Sequence, residues 1–178
     1  MFLVPGFVIS ILTFPGVIVH EAAHAFFCRW FKVPILEVKY FQFENPVGYV
    51  IHGEPDTFKG QFFITMGPFI INSALCALFC SGAFLPVWVL KIDDPLSWFF
   101  YWLGLSIGMH AFPSTQDLTI LWKHAPREAK SLNRWALLGL PLVVILYLLN
   151  FLRVVWVDLG YGIAIGVLVP IAIFEFLA

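Results

Sequence analysis

Charge is what this chain has least of. Of its 178 residues only 12% are Asp, Glu, Lys or Arg, about half of what a soluble domain carries. The formal net charge is −1, which gives no footing to a nucleic-acid partner. Cysteine is scarce too. Cys28, Cys76 and Cys80 are too few for a disulfide framework, and the i,i+4 pair Cys76/Cys80 reads as small buried thiols rather than metal ligands. No internal repeat, low-complexity run or separate soluble domain is visible. Met1 to Ile11 lacks the basic residues and small-residue cleavage site of a signal peptide, so it is expected to be retained.

Apolar surface, by contrast, is abundant. The chain is 61% hydrophobic with a mean hydropathy of +0.90, more than a soluble core of this size can hide. Five apolar stretches run over about 2–31, 61–90, 95–112, 132–152 and 159–178. Each reaches or nearly reaches the roughly 17–25 residues of a spanning helix. The expected fold is therefore an all-α polytopic membrane protein of about five transmembrane helices, with residues 1–178 forming a single membrane domain. Pro15-Gly16 and Gly67-Pro68 predict tilts or breaks in the first two spans. Between those spans, Ile35 to Phe43 and Gly48 to Glu54 are rich in Val, Ile, Tyr and Phe, and Glu44-Asn45-Pro46-Val47 makes a turn. This pattern predicts a small β-hairpin over about 35–54. Residues 121–178 are expected to hold a cytoplasmic loop and the last two spans.

Basic residues orient the chain. With the N-terminus outside, the inner segments hold Arg29, Lys32, Lys39, Lys59, Lys123, Arg127, Lys130 and Arg134, whereas the outer segments hold only Lys91 and Arg153. This is a positive-inside bias for an integral, multi-pass protein of the cell membrane (the inner membrane in a prokaryote). It places the hairpin on the cytoplasmic side.

Inside the first apolar stretch stands His20-Glu21-Ala22-Ala23-His24, with no other charge before Arg29. Side chains four apart share a helix face, so both imidazoles can grip one metal ion. Glu21 lies beside that ion, where a carboxylate can take a proton from water. Ionisable groups at membrane depth are costly and mark function. In the orientation above, the ion sits roughly 7–14 Å inside the cytoplasmic face.

A catalytic zinc site takes three protein ligands. His52, His110, Asp117 and His124 are the candidates. The polar, proline-containing run from His110 to Asp117 closes the third span on the same side as His20 and His24, and Asp117 is the expected third ligand. Ser114 or Thr115 can cap a helix that starts there. His110 is expected beside the ligands or against substrate, with direct ligation as the alternative. His124, among Lys123 and Arg127, is expected to be solvated, and His52 belongs to the hairpin. Asn72, a polar residue within the second span, can hydrogen-bond a substrate backbone or a developing oxyanion. It can equally bridge two helices.

These residues resemble the site-2 protease family of intramembrane zinc metalloproteases. His20-Glu21-Ala22-Ala23-His24 matches that family's zinc motif, and Gly67-Pro68-Phe69-Ile70-Ile71-Asn72 resembles its Gly-Pro-x-x-Asn motif. His110-Ala111-Phe112-Pro113 followed by Asp117 resembles the Asn-x-x-Pro segment that leads to a ligand aspartate. The resemblance covers about residues 1–120 and implies a three-helix catalytic core over spans 2–31, 61–90 and 95–112. Asn72 stands one position further from its proline than the family pattern has it, His110 replaces an asparagine, Leu118 replaces a glycine, and Asp117 is one residue closer to Pro113. The chain is thus expected to be a divergent, minimal member without a PDZ or CBS domain.

The resulting expectation is a zinc metalloendopeptidase that cuts a peptide bond within or near a transmembrane segment of a membrane-protein substrate. Zn2+ is held by His20, His24 and Asp117, and Glu21 is the general base. Asn72 and His110 line the substrate side. Two other readings stay open at this point: a metal-binding membrane protein without protease activity, and a membrane-embedded hydrolase acting on lipid.

Overall fold

A computed structural model describes residues 6–130, 134–152 and 156–177. The chain forms α1 (Gly6–Leu12), α2 (Phe14–Trp30), β1 (Ile35–Lys39), β2 (Tyr49–His52), α3 (Phe58–Phe84), α4 (Pro95–Met109), α5 (Thr115–Lys130), α6 (Arg134–Phe151) and α7 (Val157–Leu177). The fold is mainly helical, with one two-stranded antiparallel sheet. Leu132, where the fourth span was expected to begin, and Arg153 lie outside the described residues, as do the first residues of the first span and the last of the fifth.

Among the described residues, two helices are long and apolar enough to cross a membrane: α3 with its π-helical continuation, Phe58–Val89, and Val157–Phe176 in α7. The first apolar stretch is not one straight rod, because α1 and α2 meet at an angle of 89°. The break comes at Thr13, just ahead of Pro15 in the first turn of α2. Pro15 has no N–H for the Ile11 carbonyl and its ring crowds that carbonyl, so a helix from α1 cannot run on through it and restarts with Pro15 in its first turn. Gly67-Pro68 does not break its helix; α3 runs unbroken from Phe58 to Phe84.

The third apolar stretch ends earlier than the expected residue 112. Helix α4 stops at Met109, and His110 is its C-cap. At the other end Asp94 caps α4 by accepting from the N–H groups of Leu96 and Ser97 and from the Ser97 hydroxyl. Those bonds, the Ser97 hydroxyl first, hold its carboxyl below the usual range. Residues 121–130, at the start of the expected cytoplasmic loop, are helical as part of α5. Leu118, Leu121 and Ala125 recur at helical spacing and are fully buried, packing with Val143 and Leu146 of α6.

Helix α3 is the centre of the assembly and packs against α2, α4 and α7, while α5 lies mainly on α6. Small residues let the backbones approach. A Cβ on Gly16 would stand 2.0 Å from the Ser106 carbonyl oxygen and 2.6 Å from the His110 ring, so α2 and α4 cross with no room between them. Gly16→Ala is expected to push these helices apart and lower the thermal midpoint in detergent, since overpacking costs about 1–3 kcal/mol or more. An unchanged midpoint would show the crossing to be loose.

The hairpin pairs Ile35 with His52 and Lys39 with Tyr49, with an irregularity between Ile35 and Glu37. Its strands are shorter than the expected Ile35 to Phe43 and Gly48 to Glu54, because residues 40 and 43–48 form bends and 41–42 are irregular. Strand β2 pairs only with β1 among the described residues, so its other edge is open.

Candidate metal centre

Helix periodicity puts His20 and His24 on one face of α2. Their Nε2 atoms lie 3.2 Å apart. Helix α5 brings a carboxylate to the same point, with Asp117 Oδ2 3.5 Å from His24 Nε2. Among the described residues, His20, His24 and Asp117 form a group whose metal-ligating atoms all lie within 4.8 Å of one another. Two tetrahedral zinc ligands at about 2.0–2.1 Å from the ion stand about 3.3–3.4 Å apart. The observed 3.2 Å and 3.5 Å bracket that spacing.

The ring tautomers strengthen the fit. His20 Nδ1 lies 2.7 Å from the His110 carbonyl oxygen, and His24 Nδ1 lies 2.9 Å from the Ile64 carbonyl oxygen. A carbonyl only accepts, so each Nδ1 carries a hydrogen and donates it. In the neutral rings both Nε2 atoms then present lone pairs, and these face each other and the Asp117 carboxylate. Three electron-pair donors converge on one point, which calls for a positive charge among them. A backbone carbonyl taking the far N–H of each imidazole is also the arrangement that surrounds metal-bound histidines.

Asp117 is held by its own helix start. The Ser114 N–H and hydroxyl donate to Asp117 Oδ2 at 2.8 and 2.6 Å, and Asp117 N–H donates to Ser114 Oγ at 3.2 Å. This is a capping box with an aspartate in the third helical position. The carboxylate therefore serves as helix-start acid and candidate ligand together. The loop before it is pinned from α6, where Asn150 Nδ2 donates to the Pro113 carbonyl at 2.8 Å.

Glu21 lies next to His20, is 9% exposed, and borders two openings. One, of about 710 Å³, runs between β2 and the start of α5 and is bordered by His20, His24, Tyr49, His52 and Asp117. The other, of about 300 Å³, lies between α1 and the hairpin tip. Gly48 of the hairpin sits directly over Glu21, and a Cβ there would come within 2.9 Å of Glu21 Cγ. Gly48→Val is expected to crowd Glu21 and lower the thermal midpoint in detergent, since overpacking costs about 1–3 kcal/mol. An unchanged midpoint would show that the hairpin does not bear on the site.

The remaining candidates fall in different places. His110 contributes its backbone carbonyl to His20, while its ring turns the other way. Thr13 gives its hydroxyl hydrogen to the Ile9 carbonyl, so His110 Nε2, 2.8 Å away, donates to Thr13 Oγ1. That nitrogen is thus committed to the α1–α2 break, and the His110 ring is not part of the three-donor group. Asn72 is fully buried, and its amide nitrogen lies 3.3, 3.1 and 3.1 Å from the carbonyl oxygens of Gly16, Ile107 and His110. It ties α2 to the end of α4, which is the helix-bridging alternative, and it steadies the carbonyl that orients His20. Both amide hydrogens are thus used within the chain, while Oδ1 is buried with no hydrogen-bond partner among the described residues. His52 borders the larger opening and donates from Nδ1 to the Gly53 carbonyl at 2.7 Å. The side chain of His124 lies outside the described residues.

Sequence reasoning missed Asn150, although a lone amide in an apolar span is the same signal that singled out Asn72. It also missed Gly16 and Gly48, for which one-dimensional pattern gives no sign. Comparison with protein-family models, with characterised proteins and with solved structures finds no match to this chain.

Proposed function

We propose that this protein is an intramembrane zinc metalloprotease of the kind the site-2 protease resemblance implies. The observation that carries the proposal is the convergence of His20 Nε2, His24 Nε2 and Asp117 Oδ2 within 4.8 Å, with both ring tautomers set by carbonyls. Either a proton or a metal cation answers that convergence. The near-tetrahedral spacing and the carboxylate of Glu21 beside it favour the cation.

When bound, zinc supplies Lewis acidity to a water molecule at the site. Glu21 would take a proton from that water as its oxygen adds to the scissile carbonyl carbon, and would return the proton to the amine nitrogen as the C–N bond breaks. The substrate is a membrane protein whose transmembrane helix has locally unwound. Its extended segment lies along the open edge of β2, in the cleft that also holds Glu21, and pairs by strand addition. An open strand edge suits a peptide backbone and offers nothing specific to an acyl chain, which favours protease over lipid hydrolase.

The five apolar stretches cross the membrane in this reading, the first of them with α1 bent away from α2. The N-terminus is outside, and the hairpin and α5 lie at the cytoplasmic face. Three spans carry the catalytic core, and α6 braces it through Asn150.

The test is metal analysis of the purified full chain, followed by incubation with membrane-spanning reporter segments and, in parallel, with lipid extracts. One zinc per chain and chelator-sensitive cleavage of a reporter are expected. Stoichiometric zinc without cleavage of any reporter would return the protein to a metal-binding role, and lipid cleavage alone would make it a lipase-type hydrolase.

A further inference from the structure

We infer that Pro68 is a positioning residue for His24, acting through the carbonyl of Ile64. In an α-helix the N–H of residue i pairs with the carbonyl of residue i−4, so position 68 would ordinarily satisfy the carbonyl of Ile64. Proline has no amide hydrogen. Helix α3 nevertheless continues unbroken through it, and the Ile64 carbonyl is left without its helical partner in a buried, apolar place, where Ile64 is 1% exposed. An unpaired carbonyl is costly there. The His24 Nδ1–H fills the gap at 2.9 Å.

The preceding residue makes the reach feasible. A Cβ on Gly67 would stand 2.4 Å from the Phe27 ring and 3.4 Å from the Ala23 carbonyl oxygen, so α2 and α3 touch closely at this level. Gly67 provides the approach and Pro68 provides the acceptor. A proline inside a helix is ordinarily unfavourable; here its consequence is a directed hydrogen bond that fixes the His24 tautomer and turns Nε2 towards His20 and Asp117. The inference rests on the metal-site reading for its functional meaning, but the hydrogen bond it invokes is testable by itself.

Pro68→Ala restores an amide hydrogen that competes with His24 for the Ile64 carbonyl. Loss of a group that orients a metal-bound histidine lowers affinity by about 10–100-fold. Zinc affinity of the full-length variant in detergent, measured by chelator competition, is expected to fall by that factor. Its zinc-free thermal midpoint should stay within a few degrees of wild type, because alanine suits a helix better than proline. Wild-type zinc affinity in a folded Pro68→Ala protein overturns the inference. A second measurement does not depend on the variant folding: 15N spectra of histidine-labelled, zinc-free wild type should show His24 as the Nδ1–H tautomer, and an Nε2–H tautomer overturns the inference. If the wild type binds no zinc at all, the metalloprotease reading fails, and the His24 tautomer compared between wild type and Pro68→Ala then decides whether Pro68 sets the ring.

Discussion

On the metalloprotease proposal, Glu21→Gln is expected to keep its zinc and to lose hydrolysis by about 10²–10⁴-fold, the range of a positioned general base. The change is nearly isosteric, so the walls of both openings that Glu21 borders stay in place. The three convergent donors belong to His20, His24 and Asp117 and do not include Glu21, which is why metal content should be untouched. Only the capacity to accept and return a proton is removed. The paired measurement is zinc per chain together with reporter cleavage in reconstituted membranes. Undiminished turnover with a full complement of zinc would remove Glu21 from the chemistry and leave the site a binding site.

Asp117→Asn should have the larger effect on the metal itself. The amide still accepts from the Ser114 N–H, so the start of α5 is kept, and the loss isolates the charge. On the same proposal the variant neutralises one of three zinc ligands, and zinc affinity is expected to drop by more than about 100-fold, beyond what loss of a supporting group produces. Ser114→Ala provides the comparison. It removes the hydroxyl that donates to Asp117 Oδ2 but leaves the carboxylate. A smaller fall of about 10-fold and a loss near 1 kcal/mol of stability should follow. If Asp117→Asn retains wild-type affinity while His110→Ala abolishes it, the third donor is His110 and the α5 carboxylate is only a helix-start acid.

Much of the helical layout was legible in the apolar stretches, because burial in an apolar medium is written directly into composition. The shape of the first stretch was less so. Pro15 signalled a break, but the turn falls at Thr13, since a proline constrains the residues before it more than those after it. Gly67-Pro68 carried the same signal and marks no break, because packing against α2 and the bond from His24 compensate for the missing amide. The start of α5 was readable in Ser114 and Thr115, and its buried face in the spacing of Leu118, Leu121 and Ala125. The role of His110 was not readable. Its ring and its carbonyl point to different partners, Thr13 and His20, and a sequence motif does not separate the two.

The sequence by itself determined that two imidazoles share a face four residues apart on α2, with a carboxylate between them, in a chain too apolar for water. That follows from the 3.6-residue period, which is local. Only the tertiary structure decided which distant carboxylate meets them and which carbonyls, Ile64 and His110, turn their rings. Those relations depend on helices crossing at Gly16 and Gly67 with almost no space between backbones. Contact of that kind joins residues about 40 to 100 positions apart and leaves no periodic trace along the chain.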